Sequence, residues 1–400
     1  MPKTVIESSE GESRNSLSSR SVIQGTWRDG LIMLAQGCKH GTKSCVIFVK
    51  RAGETRHGLR KNMAKGRLAP SPTGAQHPGN ARTFLVAWLA ARSTGSQLIL
   101  RIEDLDSPRV KPWAMTQAVE DLAWLGLDWD EGPNTQPSAS EPNSAKTQNW
   151  LDDPAWNGFV QSRRLARYAE IFHALQQGEW IYPCTCSRAD VSQAASAPHQ
   201  GHEPAIYPGT CRHRQVADAD QLAEGSYCWR FRTAGFTKPM GWEDRIAGEQ
   251  SAILPHTLGD FVIAKADGTP AYQLAVVVDD HDMEVGEVVR GDDLIPSTYR
   301  QLALYQVLGW TAPEFAHVPL VKGPDGLRLA KRHGDSRLSI LREAGVDSRE
   351  VIGWLACSLG LSSDEAPVSP AELIAEFAWD KIPRQPVTFP REIWDRWLGK

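Results

Sequence analysis

The sequence predicts an α/β protein, a parallel sheet covered by helices. Three observations carry that expectation. Gly66–Arg82 reads as a short strand, a Gly/Pro-rich turn and the opening of an amphipathic helix. Gln97–Ile102 is a buried-strand run that leads, past Pro112, into a second helix. Ala271–Asp280 is a near-continuous apolar run ending in carboxylates, the pattern of a central strand buried on both faces.

Residues 1–65 stand apart from the rest. Ser, Gly and charge dominate up to Arg20, and basic residues crowd Lys50 to Lys65. Only short apolar pieces such as Leu31–Leu34 and Val46–Val49 interrupt them. Such a composition cannot bury a core, which predicts a poorly ordered basic extension. Met63, four residues before Arg67, is the expected physiological start.

The first strand then breaks at Pro70 and Pro72, turns at Gly74 and passes His77-Pro78-Gly79-Asn80. Ala81, Phe84, Leu85, Trp88 and Leu89 recur at helical spacing up to a stop near Gly95. The second strand ends in Glu103-Asp104, and its helix runs through Leu122 and Leu125 to Gly126. A Pro/Ser/Asn-rich stretch from Gly132 to about Gly158 reads as an insertion loop. Gln161–Tyr168 opens a helix towards Leu175 and Gly178. Tyr182-Pro-Cys184-Thr-Cys186 and Tyr207-Pro-Gly-Thr-Cys211 follow, then β-like pieces at Tyr227–Arg232 and Phe261–Ala264. Glu287–Asp293 is a strand and turn, Pro296 to about Leu308 a helix, and Val318–Lys322 a last strand. From Ser336 the apolar spacing of Val351, Trp354, Leu355 and Leu359 is helical.

Four hundred residues suggest two or three domains. A net charge of −4 argues against a protein that coats nucleic acid indiscriminately and leaves room for a local basic surface. Seven cysteines, with a tight Cys-x-Cys pair in a long chain, point to metal chemistry in a reducing compartment rather than a disulfide framework. No apolar run approaches membrane-spanning length and no signal-peptide core opens the chain, so a cytoplasmic location is expected.

The turn between the first strand and helix offers backbone N–H groups and a positive dipole end to an anion. No Lys-Ser/Thr follows its glycines, so it is not the common P-loop. Ligands of parallel sheets sit at the C-terminal strand edge. Arg67–Ser71 and Glu103 both lie at such ends, which predicts that they face one pocket.

Arg67-Leu-Ala-Pro-Ser-Pro-Thr-Gly74 with His77-x-Gly79-Asn80 resembles the HIGH signature of class I aminoacyl-tRNA synthetases, in its glutamyl form. Arg101–Asp104, Val277–His281 and Val289–Asp292 resemble further signatures of that group, and Arg328–Arg332 stands in the place of the KMSKS loop. Within the group the chain is most similar to the short glutamyl-queuosine tRNA(Asp) family, because only 69 residues follow Lys331 and the cysteine pattern matches. The alternatives are a glutamyl-tRNA synthetase with a reduced C-terminus, charging tRNA(Glu), and a non-catalytic RNA-binding paralogue. The resemblance implies a Rossmann-like catalytic domain in two halves, 66–180 and 260–335, split by a zinc-binding, acceptor-side insertion at 181–259. It also implies a short helical tail at 336–400 and no anticodon-binding domain.

The implied chemistry is activation of L-glutamate by ATP, with magnesium, to glutamyl-adenylate, followed by transfer of glutamate to queuosine-containing tRNA(Asp). A monomer is expected, with no membrane contact. By resemblance the glutamate contacts are Arg67, Ala69, Ser71, Glu103, Tyr272 and Arg290. Arg67 suits a carboxylate through bidentate guanidinium geometry, and Glu103 suits the ammonium. ATP falls to His77, Gly79, Asn80 and Lys331, with His77 and Lys331 as the catalytic pair. The loop departs from KMSKS: Arg328 replaces the first lysine, Ala330 the serine, and Arg332 follows Lys331. Cys184, Cys186, Tyr207 and Cys211 supply three thiolates and a phenolate for one structural zinc, with His199, His202 and His213 as alternatives to Tyr207.

Overall fold

The computed structural model describes residues 64–105, 110–133, 153–194, 206–327, 329 and 336–399. It also describes the backbone of β1 (Gln24–Arg28), β2 (Leu31–Ala35) and β3 (Ile47–Phe48), an antiparallel sheet within the unit Met1–Lys61. Met63, Arg328, Ala330, Lys331, Arg332, His199 and His202 lie outside the described residues.

The second unit, Asn62–Lys400, begins with β4 (Gly66–Leu68), α1 (Pro78–Thr94), β5 (Leu98–Leu100) and α2 (Pro112–Trp124). Proline opens both helices at the one position where its missing N–H is harmless. Gly95 closes α1 in the left-handed conformation. After α3 (Leu165–Gln177), β6 (Ile181–Cys184) and α4 (Arg188–Ala194) come β7 (Cys228–Phe231), β8 (Met240–Asp244), β9 (Gly248–Ala252), α5 (Leu254–Thr257) and β10 (Phe261–Lys265). The second half holds α6 (Tyr272–Asp282), β11 (Glu287–Gly291), α7 (Ile295–Leu308), β12 (Glu314–Val318) and β13 (Val321–Lys322). The tail carries α8 (Leu338–Glu343), α9 (Ser348–Ser358), β14 (Val387–Thr388) and α10 (Arg391–Trp397).

β4 and β5 run parallel, as do β11 and β12, and Lys65 bridges in parallel to Val285 just ahead of β11. The C-terminal ends of these four strands therefore share one edge. Strand residues alternate between two clusters. Leu98, Leu100, Val289, Ala316 and Val318 pack with α1, α2 and α9, while Ile99, Val288 and Phe315 pack with Met283 and Val285. That period of two means both faces are covered, as an α/β fold requires. β10, β7 and β6 form a separate antiparallel sheet in that order.

The apolar run Ala271–Asp280, expected as a central strand, is the helix α6. Leu274, Val276, Val277 and Val278 are all buried, so the helix is covered on nearly every side. A helix buried all round is as uniformly apolar as a buried strand, and periodicity cannot separate the two.

The tail packs into the same core as α1 rather than beside it. Trp354, Phe389, Trp394 and Trp397 join the cluster that contains Leu85 and Leu89 of α1. Arg82 of α1, fully buried, donates to the Pro319 carbonyl at 2.7 Å and to the Ser358 carbonyl at 3.0 Å and hydroxyl at 3.1 Å. Burial, opposed only in part by Asp292, brings its guanidinium down to about 10. No helix among the described residues is long and apolar enough to cross a membrane.

Candidate active site

The shared strand edge borders a cavity of about 460 Å³. Arg67, Ala69, Ser71, Glu103, Tyr272 and Arg290 line it, and so do His77, Gly79 and Asn80. Nine of the expected contacts thus meet in one pocket, and the tenth, Lys331, lies outside the described residues.

One end of the pocket is the N-terminus of α1. His77 is its N-cap: Nδ1 accepts from the Gly79 N–H at 3.1 Å, and the Asn80 side chain accepts from the His77 N–H at 3.4 Å. An imidazole whose Nδ1 accepts carries its proton on Nε2, which makes Nε2 a donor. A Cβ at Gly79 would stand 3.0 Å from the His77 ring and 3.4 Å from Val321. A side chain there would crowd the His77 imidazole, which would have to give by a few tenths of an ångström.

The other end is a buried ionic cluster. Arg67 donates to the Val289 carbonyl at 2.8 Å, and its Nε lies 3.8 Å from Asp280 without a hydrogen-bond partner. Burial, and then the neighbouring Arg101, push the Arg67 guanidinium down from its usual value, while Asp280 opposes them. Arg101, wholly buried, binds Asp280 at 2.7 Å and Glu103 at 2.9 Å. Glu103 is held up from its usual range by burial, with Arg101 and Arg67 pulling it down. Asp279 receives the Tyr168 hydroxyl at 2.9 Å, Gln161 at 2.8 Å and Arg164 at 2.7 Å. Asp279 and Asp280 are thus anchors for the arginines, sited on α6 rather than at a strand end.

Arg290, also at the pocket, donates from Nη2 to Thr298 at 2.6 Å and from Nε to His317 Nε2 at 3.1 Å. His317 Nδ1 is in turn 2.5 Å from Asp244. Asp244, Thr298 and His317 carry no motif. Arg290 was visible only because its own tetrapeptide resembles a signature, and its partners had no such marker.

Leu329 and Leu338 are each tied to the pocket lining. Leu329 donates its backbone N–H to Val321 at 3.1 Å, and Leu338 donates to Gln76 at 2.9 Å. Val321 and Gln76 both line the cavity.

A second cluster lies in the insertion sheet. The sulfurs of Cys184, Cys186 and Cys211 fall within 4.8 Å of one another, the one such metal-competent group among the described residues. Cys186 and Cys211 are 3.7 Å apart, and Tyr207 Oη is 3.3 Å from Cys184 and 3.8 Å from Cys186. Thiolates on a tetrahedral zinc at about 2.3 Å would be separated by about 3.8 Å. The donor set fits the ion. The Cys184 thiol is drawn down to about 4, first by the Cys228 thiol and then by Tyr207, against the opposing effect of burial. Arg230 adds an N–H donated to Cys184 at 3.2 Å and a guanidinium 3.9 Å from the Tyr207 ring centre. His213 is not part of the cluster.

Residues 63–392 match the family described as tRNA synthetases class I (E and Q), catalytic domain. The chain belongs to this family. A class I synthetase catalytic domain of the E and Q type accounts for the shared strand edge, the capped α1 and the split sheet together. Among its relatives, a glutamyl-Q tRNA(Asp) synthetase of Rhodopirellula baltica is 46% identical over 340 residues, covering 80% of this chain and 94% of that one. A glutamyl-Q tRNA(Asp) synthetase of Symbiobacterium thermophilum is 45% identical, covering 82% of this chain and 97% of that one. Among solved structures, a glutamate tRNA ligase from Elizabethkingia meningosepticum, in complex with its amino acid, superposes with a TM-score of 0.66 at 28% identity. The match spans 84% of this class I synthetase and 68% of that chain.

Proposed function

We propose that the chain activates L-glutamate with ATP and transfers the glutamyl group to the queuosine base in the anticodon of tRNA(Asp). The observation that carries this reading is the charge layout of the pocket. Two buried guanidiniums, Arg67 and Arg290, and one buried carboxylate, Glu103, line the end opposite a capped helix N-terminus. Glutamate presents the complement, two carboxylates and one ammonium, and the α1 N-terminus suits the phosphates of ATP.

A glutamate carboxylate oxygen attacks the α-phosphorus, the bond to the β-phosphate bridge breaks, and pyrophosphate leaves. The acceptor then displaces AMP from the mixed anhydride. No covalent enzyme intermediate is required, so the residues act by holding reactants in line and offsetting charge. In this reading Arg67, Ala69, Ser71, Glu103, Tyr272 and Arg290 hold glutamate. His77 donates from Nε2 to a phosphate, and Gly79 and Asn80 shape the approach. The bonds of Leu329 and Leu338 to pocket-lining Val321 and Gln76 support a role for Lys331 as a point charge on the triphosphate. Magnesium would screen the same phosphates.

The names of the two glutamyl-Q relatives support the acceptor. Cys184, Cys186, Tyr207 and Cys211 would hold one zinc; with four protein donors no position is left for water, so its part is structural. Metal analysis should find one zinc per chain, reduced by Cys186→Ser. Charging assays with queuosine-containing tRNA(Asp), the same tRNA lacking queuosine, and tRNA(Glu) test the reading. Glutamate should pass to the first alone; transfer only to tRNA(Glu) would overturn the acceptor, and absence of glutamate-dependent pyrophosphate exchange would overturn the activation.

A further inference from the structure

The buried pair Asp244–His317 has no place in the chemistry above, yet it ends on one of the substrate-facing arginines. We propose that His317, locked in one tautomer by Asp244, is the positioning residue for the Arg290 guanidinium and so sets the affinity for the amino-acid carboxylate. This inference rests on the glutamate reading of the pocket.

Hydrogen-bond polarity fixes the relay from both ends. An arginine Nε–H can only donate, so His317 Nε2, 3.1 Å away, must be unprotonated. Asp244 Oδ2 can only accept, so His317 Nδ1, 2.5 Å away, must carry the proton. Burial, ahead of the repulsion from Arg290, lowers the His317 pKa, and that agrees with a neutral ring. The Thr298 hydroxyl lies 3.1 Å from Nε2 and accepts from Arg290 Nη2 at 2.6 Å, which makes it the second clamp on the same guanidinium. Phe315 backs the group, with its ring centre 5.4 Å from the guanidinium carbon. His317 and Thr298 are wholly buried, and Asp244 is 2% exposed. With Nε and one Nη2 hydrogen tied to the wall, and Nη1 donating at 3.5 Å to the Tyr272 hydroxyl, one hydrogen on each Nη is left for a substrate carboxylate.

Asp244 cannot be turned over, because its other oxygen is held separately. Oδ1 accepts backbone N–H groups from Ile246 at 3.0 Å, Ala247 at 2.8 Å and His317 at 3.1 Å. In Asp244→Asn the amide oxygen must stay on those three donors, so its NH₂ faces His317 Nδ1. The ring is then forced into the other tautomer, and its Nε2–H meets the Arg290 Nε–H head on. Two donors facing each other displace the guanidinium without removing any volume from the core.

The experiment is calorimetric titration of L-glutamate and of ATP into the full chain and its Asp244→Asn variant. Loss of one hydrogen bond to a charged group predicts a glutamate Kd raised about tenfold to a hundredfold, with the ATP Kd unchanged. The sign is diagnostic: deleting a negative charge near Arg290 would, by electrostatics alone, tighten binding of an anion. A variant that binds glutamate as the parent does, or more tightly, overturns the relay. Nitrogen-15 spectra of the parent protein judge it independently. They should show His317 protonated at Nδ1, and protonation at Nε2 would overturn the proposal. If Asp244→Asn does not fold, His317→Gln, which keeps an acceptor towards Arg290, should retain affinity within a few-fold, while His317→Leu should lose it. Equal losses in both overturn the proposal. A parent that binds ATP but no glutamate overturns the reading of the pocket instead, a result the tautomer spectrum does not share.

Discussion

The two ends of the pocket are held in place by opposite means. At the α1 end the cap that shapes His77, Gly79 and Asn80 is local, a side-chain cap and a capping box formed within three residues. At the other end the two arginines depend on partners far along the chain. Arg67 meets Val289 across 222 residues, and Arg101 meets Asp280 across 179. The helix end forms wherever α1 forms, because partial charges on backbone groups supply its field. The ionic end exists only once the whole sheet is assembled, since full charges in a dry interior must be paired. The contrast suits the two ligands: phosphates carry enough charge for dipoles to hold, whereas choosing one amino acid demands fixed, full charges.

Arg101→Met strikes the ionic end hardest. It leaves Glu103, Asp279 and Asp280 buried with too few cations, and urea denaturation should show a loss of about 3–5 kcal/mol. A loss below about 1 kcal/mol would mean that the cluster is solvated and the contrast false. Arg67→Ala should next weaken glutamate binding by about a hundredfold or more, again from removing a buried charge partner, while ATP binding measured in parallel stays near normal. Equal weakening of both ligands would merge the two ends into one. His77→Ala removes a local cap and should cost only about 1 kcal/mol of stability. It should weaken ATP rather than glutamate, the reverse selectivity of Arg67→Ala.

The smallest effect is one of pH. Burial holds the Glu103 carboxyl above its ordinary 4.5, so the folded chain keeps that proton longer than the unfolded one. Glu103 therefore contributes stability at low pH that is lost as pH rises through its raised value. Glutamate binding moves the other way, because the ammonium needs the ionised form. Affinity should climb as pH rises through the raised Glu103 value and flatten in Glu103→Gln, whose affinity is low throughout. A pH-independent parent would place Glu103 away from the ammonium.

What could be read from sequence follows the same division. His77-Pro-Gly-Asn80 is legible because its partners are neighbours in the chain, so spacing carries geometry. Cys184-x-Cys186 meets Tyr207 and Cys211 only 23 and 25 residues on, and needed the family resemblance. Glu103 and Arg67 were legible as strand-end residues, since strand order predicts a shared edge. Asp244 and His317 were not, as they sit 73 residues apart and carry no motif. Asp279 and Asp280 were noticed but assigned to a strand end, because a run of buried valines does not reveal whether it winds or extends. Their true service, pinning Arg101 and Arg164, follows from α6 lying against the sheet.

Arg82 carries a consequence for how such a chain can change over time. It lies five residues beyond the His77 cap, and two of its three acceptors belong to Ser358 at the end of α9. The tail is therefore a foundation stone of the nucleotide end and cannot be traded as a detachable module. Any graft that swaps the C-terminal region must re-create a carbonyl and a hydroxyl at that one spot. Otherwise α1 inherits a buried cation with nowhere to point.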